Sequence, residues 1–242
     1  MLVGGAVADK PARLVSASEP VTVATAQAAY VSRGGQKLQA ALAGFGVCCK
    51  NKRCIDIGAS TGGFTDCLLQ AGADTVVAVD VGRGQLHERL ERDPRVTSVP
   101  NYNFRHADVV GLGAPFDLAV VDVSFISLRI LAGNIRSAVG NEGEVIALIK
   151  PQFESGRAAV SAGGGIIDDP ELWRESIMGV LEAFGAVGLG ATRVMASPLL
   201  GAKGNAEFLC HLRPHGTADL DQEIEGTLAQ ALALGGPRRT RA

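Results

Sequence analysis

An excess of charge of either sign, clustered cysteines and long apolar runs are all missing from this 242-residue chain. Its 23 lysines and arginines stand against 25 acids, a net charge of −2, so no overall field draws it to a polyanion and such a partner must be met by a local patch. The five cysteines, Cys48, Cys49, Cys54, Cys67 and Cys210, form no CxxC pair and no Cys/His metal spacing. They are expected to be reduced, packed thiols, with neither a disulfide framework nor a zinc site. His87, His106, His211 and His215 are scattered and imply no metal either. Although 47% of the residues are hydrophobic, every apolar run is broken by Gly, Pro or charge well short of the roughly 18 residues that a spanning helix needs. No membrane segment is expected. The first 15 residues lack the cationic start, unbroken apolar stretch and cleavage site of a signal peptide, which makes the cytoplasm the default location.

What is present is alternation. Nearly continuous apolar runs at 53–57, 75–80, 95–99, 116–122 and 144–149 read as strands buried on both faces. Segments of helical period lie between them at 62–71, 84–92 and 126–138. This pattern predicts an α/β fold with a doubly wound, mostly parallel sheet. A further helix starts after SAGGGIIDDP, with Asp169 as cap and Pro170 in its first turn. Its Trp173, Ile177, Val180, Leu181 and Phe184 share one face, so the lone Trp is expected in the core. Segments 187–197 and 206–212 read as a terminal antiparallel hairpin closing the sheet edge. A helix over 35–46 shows one apolar stripe, Leu38, Ala41, Leu42 and Phe45, and a short amphipathic helix follows Leu220 before a frayed basic end, GGPRRTRA.

The stretch CIDIGASTGGF at 54–64 is then the first strand, first turn and first helix start of that sheet, where ligands gather at the carboxyl ends of strands. A dinucleotide pattern GxGxxG would use Gly58 and Gly63, but Ser60 occupies its middle position. A phosphate-cradling GxxxxGK[ST] fails because no Lys follows Gly63. An S-adenosylmethionine site fits better. Gly58, Gly62 and Gly63 let the chain wrap the methionine part, and Asp80, ending TVVAVD, takes the ribose hydroxyls; the plainer role for Asp80 is a helix cap for the next segment.

Two more ionisable groups end strands, Asp122 after FDLAVV and Lys150 after EVIALI. With only six lysines in the chain, one terminating an apolar strand on the ligand side is either a salt-bridged cap of the sheet or part of a lysine and carboxylate set that moves a proton.

SRGGQKL at 32–38, DIGASTGGFT at 56–65, VDVGRGQL at 79–86, DVSFISL at 122–128, KPQFE at 150–154 and ASPLLGAKGNAEF at 196–208 resemble, in order, the TlyA family within the FtsJ-like ribosomal RNA 2′-O-methyltransferases. The resemblance implies a class I, Rossmann-like methyltransferase domain, expected over 35–242, that methylates ribose in ribosomal RNA, cytidine being the implied nucleoside. It implies a catalytic Lys, Asp, Lys, Glu set, here Lys37, Asp122, Lys150 and Glu207. Lys150 is the expected base, Asp122 its orienting partner, Lys37 the stabiliser of developing oxyanion charge, and Glu207 the holder of the hydroxyl or the lysines. The implied cofactor is S-adenosyl-L-methionine, held by Asp56, Gly58, Ala59, Ser60, Gly62, Gly63, Phe64, Asp80, Val81, Asn103 and Asp122, with no metal. DVSF stands where enzymes methylating an exocyclic amine carry NPPY, and no Cys lies beside a Pro as in enzymes that attack a pyrimidine carbon.

Expected partners are ribosomal RNA or ribosomal subunits, with no membrane; nothing in the sequence sets an oligomeric state. The family's usual N-terminal S4-type RNA-binding domain is expected here only as a remnant over 1–24, followed by a linker at 25–34. A non-catalytic RNA-binding or ribosome-assembly protein is the alternative. A lytic role, after the haemolysin label some family members carry, finds no amphipathic or spanning segment to support it.

Overall fold

Uncharged apolar runs cannot sit at a sheet surface, and in the computed structural model they form the middle of a seven-stranded sheet. The structure describes residues 29–156, 160–161 and 163–234, together with 2–3, 6–7, 15–16 and 18–22. Three two-residue strands near the start, β1 (Leu2–Val3), β2 (Ala6–Val7) and β3 (Val21–Thr22), pair antiparallel in a small sheet of their own. Most of the expected S4-like remnant at 1–24, part of the linker and the basic end GGPRRTRA lie outside the described residues.

The main sheet contains β4 (Arg53–Ile57), β5 (Thr75–Val79), β6 (Val96–Val99), β7 (Phe116–Val121), β8 (Val139–Ile149), β9 (Leu189–Ala196) and β10 (Phe208–Pro214), in the order β6-β5-β4-β7-β8-β10-β9. The first five are parallel; β10 runs antiparallel to both β8 and β9. The expected fold class and terminal hairpin are therefore observed. The order turns back at β4, so the carboxyl ends of β4 and β7 form the switch point where an open sheet leaves a crevice.

Successive side chains of a strand point to opposite faces, and β7 shows the consequence. Leu118 and Val120 join one core with Leu38 and Leu42 of α1 (Gly34–Phe45) and Leu68 of α2 (Gly63–Gln70). Ala119 and Val121 join the other, with Leu131 and Ile135 of α4 (Leu128–Ala138) and Ile177 and Phe184 of a helix over Pro170–Ala186. Each large buried side chain in these layers contributes roughly 1.5–3 kcal/mol. Asp169 caps the Pro170–Ala186 helix by accepting from the Glu171 amide at 2.9 Å, and Trp173 is buried, as expected, its Nε1 donating to the Ile167 carbonyl at 2.8 Å. Two expectations need correcting. β6 is the edge strand, with Thr97 and Ser98 exposed, and not a strand buried on both faces. The helix expected over 84–92 is only α3 (Glu88–Glu91), because Gly84 (φ +57°) belongs to a turn and His87 caps the helix, its Nδ1 accepting from the Arg89 amide at 3.1 Å.

Five residues before the cleft end of β8, Glu144 is buried at the centre of an ion cluster. Arg213 donates to it, Lys52 Nζ lies at 3.3 Å, and His211 Nε2 lies at 3.7 Å. The His211 ring stacks on Phe45 with centroids 5.7 Å apart. Burial alone would raise the Glu144 carboxyl, but His211, Arg213 and Lys52 outweigh it and hold it at about 2. A carboxyl held below its unfolded value contributes stability above the ordinary carboxylate range and loses it as pH falls through the folded value. Glu144→Gln should destabilise the chain by about 1–3 kcal/mol near neutral pH. The difference from the parent protein should shrink steadily below about pH 4, a trend that denaturant unfolding across that range will measure.

Candidate active site at the switch point

The site begins below its own floor. Asp56 of β4 is fully buried, and its Oδ2 accepts from the Thr65 amide at 2.9 Å and the Thr65 hydroxyl at 2.7 Å. This anchors the first turn of α2 and with it the chain from Gly58 to Gly63. The other oxygen, Oδ1, has no hydrogen-bond partner among the described residues. Burial pushes the Asp56 carboxyl up to about 7; Thr65 pulls it down, while Asp122 and Asp80 push it further up.

Above Asp56 the turn bends under constraint. The amides of Gly58 and Ala59 donate to the Val79 carbonyl at 2.9 and 3.1 Å, and the Asp122 amide donates to the Ile57 carbonyl at 2.9 Å. Asp80 joins the first turn to the second: its Oδ2 accepts from the Ser60 amide at 2.8 Å and its Oδ1 from the Gly82 amide at 2.7 Å. It is thus no helix cap.

Two hollows of roughly 290 and 320 Å³ open on either side of this turn, sharing Gly58, Ser60, Asp122 and Ser124 as their common wall. The larger is the more apolar, with Asp80, Val81, Asn103, Phe104 and Phe125 around it. The smaller is lined by Ser32, Arg33, Lys37, Phe64, Lys150 and Gly201. Of the residues expected around a cofactor, Gly58, Ala59, Ser60, Gly63, Phe64, Asp80, Val81, Asn103 and Asp122 line one hollow or both. Asp56 lies beneath them, and Gly62 faces Leu86 and Leu90 instead.

The four expected catalytic residues form two ion pairs. Lys150 Nζ lies 2.5 Å from Asp122 Oδ1 and donates to Ser124 Oγ at 3.0 Å. Lys37 pairs with Glu207, which is buried behind it. Gly201 is packed so tightly on Glu207 that a Cβ there would lie 2.0 Å from Oε1, so no larger residue fits without moving the carboxylate. Lys37, Asp122 and Lys150 all face the smaller hollow.

Residue-level reasoning missed Ser124 and Phe125, which sat inside a quoted motif without a role. Phe125 is 92% exposed, has φ +65°, and lies 5.2 Å from the Phe153 ring. A bulky residue in the left-handed region is strained, and such strain gathers at functional sites. No local sequence signal marks that exposure, which becomes visible only in the backbone of the structure.

A lysine and carboxylate pair beside a glycine-rich first turn suits activation of a weak nucleophile next to a bound cofactor. A family model described as FtsJ-like methyltransferase matches residues 30–214. The chain belongs to that family. It is 39% identical over 235 residues to the 16S/23S rRNA (cytidine-2′-O)-methyltransferase TlyA of Mycobacterium tuberculosis, covering 96% of this chain and 87% of that one. A solved structure from Streptococcus thermophilus that carries a hemolysin name is 41% identical, with a TM-score of 0.81 over 85% of this chain and 75% of that one. The Burkholderia thailandensis 1,6-didemethyltoxoflavin-N1-methyltransferase shares the fold at 18% identity, with a TM-score of 0.51 over 75% of this chain and 77% of that one. Among the described residues of this FtsJ-like chain, no helix is long and apolar enough to cross a membrane.

The raised Asp56 carboxyl has a measurable consequence. Between the ordinary carboxylate value near 4 and about 7, the folded chain holds a proton that the unfolded chain has released. This group therefore makes stability fall as pH rises through that window. Asp56→Asn, which has the same shape and no charge to bury, should flatten the dependence of the thermal midpoint on pH across it. An unchanged slope would show that Asp56 is not the titrating group.

Proposed function

We propose that this FtsJ-like chain is an S-adenosylmethionine-dependent methyltransferase acting on a ribose 2′-hydroxyl of ribosomal RNA, cytidine being the nucleoside named for its M. tuberculosis relative. The observation that carries this reading is the Lys150 and Asp122 pair, 2.5 Å apart, with Asp122 on the wall between the two hollows and Lys150 facing the smaller one.

The residues fit the cofactor. The turn at 58–63 leaves space for the methionine part, while Asp80 and Asn103 offer polar edges and Val81 and Phe104 apolar surface for the adenosine. When bound, it supplies an electrophilic sulfonium methyl. The remaining work belongs to the protein. A ribose hydroxyl is a poor nucleophile and must lose its proton as its oxygen attacks. Lys150 Nζ, as the neutral amine, is the acceptor on the side of the smaller hollow, and Asp122 and Ser124 hold it in place. Lys37, fixed by Glu207, brings positive charge to the developing alkoxide from the other side of the hollow. Phe125 offers an exposed ring face to an unstacked base, a contact that contributes about 1–3 kcal/mol per base in single-stranded recognition. A ribosomal substrate places the enzyme in the cytoplasm.

Lys150→Ala should lower kcat by about 10²–10⁴-fold while leaving cofactor affinity and the thermal midpoint nearly unchanged. Asp80→Ala should weaken adenosylmethionine binding by about 1.5–3 kcal/mol, read by calorimetry; an unaltered affinity would return Asp80 to a purely structural part. The test of the whole reading is transfer of a radiolabelled methyl group to ribosomal RNA, isolated or in subunits, followed by mapping of the modified nucleotide. Label that never reaches RNA, although RNA binds tightly, would favour a non-catalytic RNA-binding or assembly role. Label on a base would refute ribose chemistry.

A further inference from the structure

The helical turn after Lys150, α5 (Pro151–Glu154), ends on a carboxylate turned away from solvent. The Glu154 side chain is 1% exposed. Its Oε2 accepts from Ser127 Oγ at 2.5 Å, its Oε1 accepts from the Leu128 amide at 2.8 Å, and Arg129 Nε lies 3.5 Å from Oε2. Arg129 Nη2 also donates to the Glu154 carbonyl at 3.2 Å. All these partners belong to the start of α4, whose cap Ser127 lies five residues after Asp122.

One carboxylate thus ties together the two chain segments that carry the reacting pair, four residues beyond Lys150 on one and five beyond Asp122 on the other. A cap for α4 alone does not need it, because Ser127 Oγ already accepts from the Arg129 amide at 3.2 Å. The same turn also presents Phe153, whose ring lies 5.2 Å from Phe125 and 5.9 Å from Lys150 Nζ. Burial pushes the Glu154 carboxyl up, against the pull of Ser127, Leu128 and Arg129, so holding it there has a cost that its contacts offset only in part.

We propose that Glu154 is a positioning residue for methyl transfer: by gripping Ser127 and Leu128 it locks the 122–127 loop onto α5 and so sets the separation of Lys150 from Asp122. This inference rests on the reading of those two residues as the reacting pair. Misplacement of reacting groups by about 1 Å lowers rates by about 10²-fold, so loss of the tether appears in kcat.

The test uses the full chain, with kcat and KM for RNA at saturating adenosylmethionine, cofactor affinity by calorimetry, and the thermal midpoint. Glu154→Ala should lower kcat about 10–100-fold with cofactor affinity within about twofold. Glu154→Gln, with the same shape, an acceptor for the Leu128 amide and a donor for Ser127, should restore kcat to within about threefold of the parent. Should Glu154→Ala not fold, Ser127→Ala removes the 2.5 Å contact, together with the Oγ bond to the Arg129 amide, and should cost kcat about 5–10-fold. A folded Ala variant that melts earlier yet turns over within about twofold of the parent makes Glu154 a stabilising cap only and overturns the proposal. A Gln variant as slow as the Ala variant would also overturn it, by showing that charge and not tethering matters. If the parent chain transfers no methyl group, the reading of Lys150 falls too; if it does and Glu154→Ala is unimpaired, only this inference falls.

Discussion

Gly58 stands where no side chain has room. A Cβ there would lie 2.5 Å from the carbonyl oxygen of Asp122, and the φ of +88° is one that residues other than glycine rarely adopt. This close approach lets the first turn and the end of β7 share a wall, and the rest of the site follows from it. Because the Asp122 amide bonds to the Ile57 carbonyl, Asp122 emerges level with the turn and not above it. Lys150, ending the neighbouring strand β8, then reaches Asp122 directly. Widening the contact at Gly58 would separate the turn from the lysine and carboxylate pair that must act on the same ligand.

The same convergence sets the electrostatics. Asp56, Asp80 and Asp122 end or line neighbouring strands within one small region, and each is treated differently. Among the described residues, Asp122 has Lys150, Asp80 has two backbone amides, and Asp56 has only Thr65 and a buried unpartnered oxygen. Burial, offset only in part by Thr65, carries the Asp56 carboxyl up to about 7. Burying one carboxylate near two others is tolerable when it keeps its proton. Glu144, in the middle of β8, shows the opposite solution: Arg213, Lys52 and His211 gather around it and its carboxyl falls to about 2.

The layout of the fold was largely legible in the sequence because a strand buried on both faces has no alternative to a continuous apolar run, as FDLAVV shows at β7. Where that reasoning failed, at β6, the run VTSV is short and mixed, and edge position is a tertiary property that no local pattern reports. The strand-ending Asp80, Asp122 and Lys150 were legible for the same reason the strands were: a charge closing an apolar run stands out. Phe125 was not, because its exposure depends on a left-handed backbone that a phenylalanine does not advertise. Glu154 was hidden too, since its partners lie 26 and 27 residues away on a different element.

Lys37 and Glu207 show the limit most clearly. They are 170 residues apart, and only the family resemblance placed them together in the sequence. In the structure their meeting depends on strand register. β10 enters between β8 and β9 with Phe208 opposite Ile149, so that Glu207 and Lys150 follow at the next step of the same antiparallel ladder. A slip of one residue would turn Glu207 to the opposite face of the sheet and away from Lys37. The pattern Phe208, Cys210 and Leu212 toward one core and Leu209 toward the other resists that slip, since it would expose the wrong set of side chains to each layer. The hydrophobic alternation of the last strand is therefore what fixes a charged pair at the start of the domain, and the site is complete only once that strand has docked.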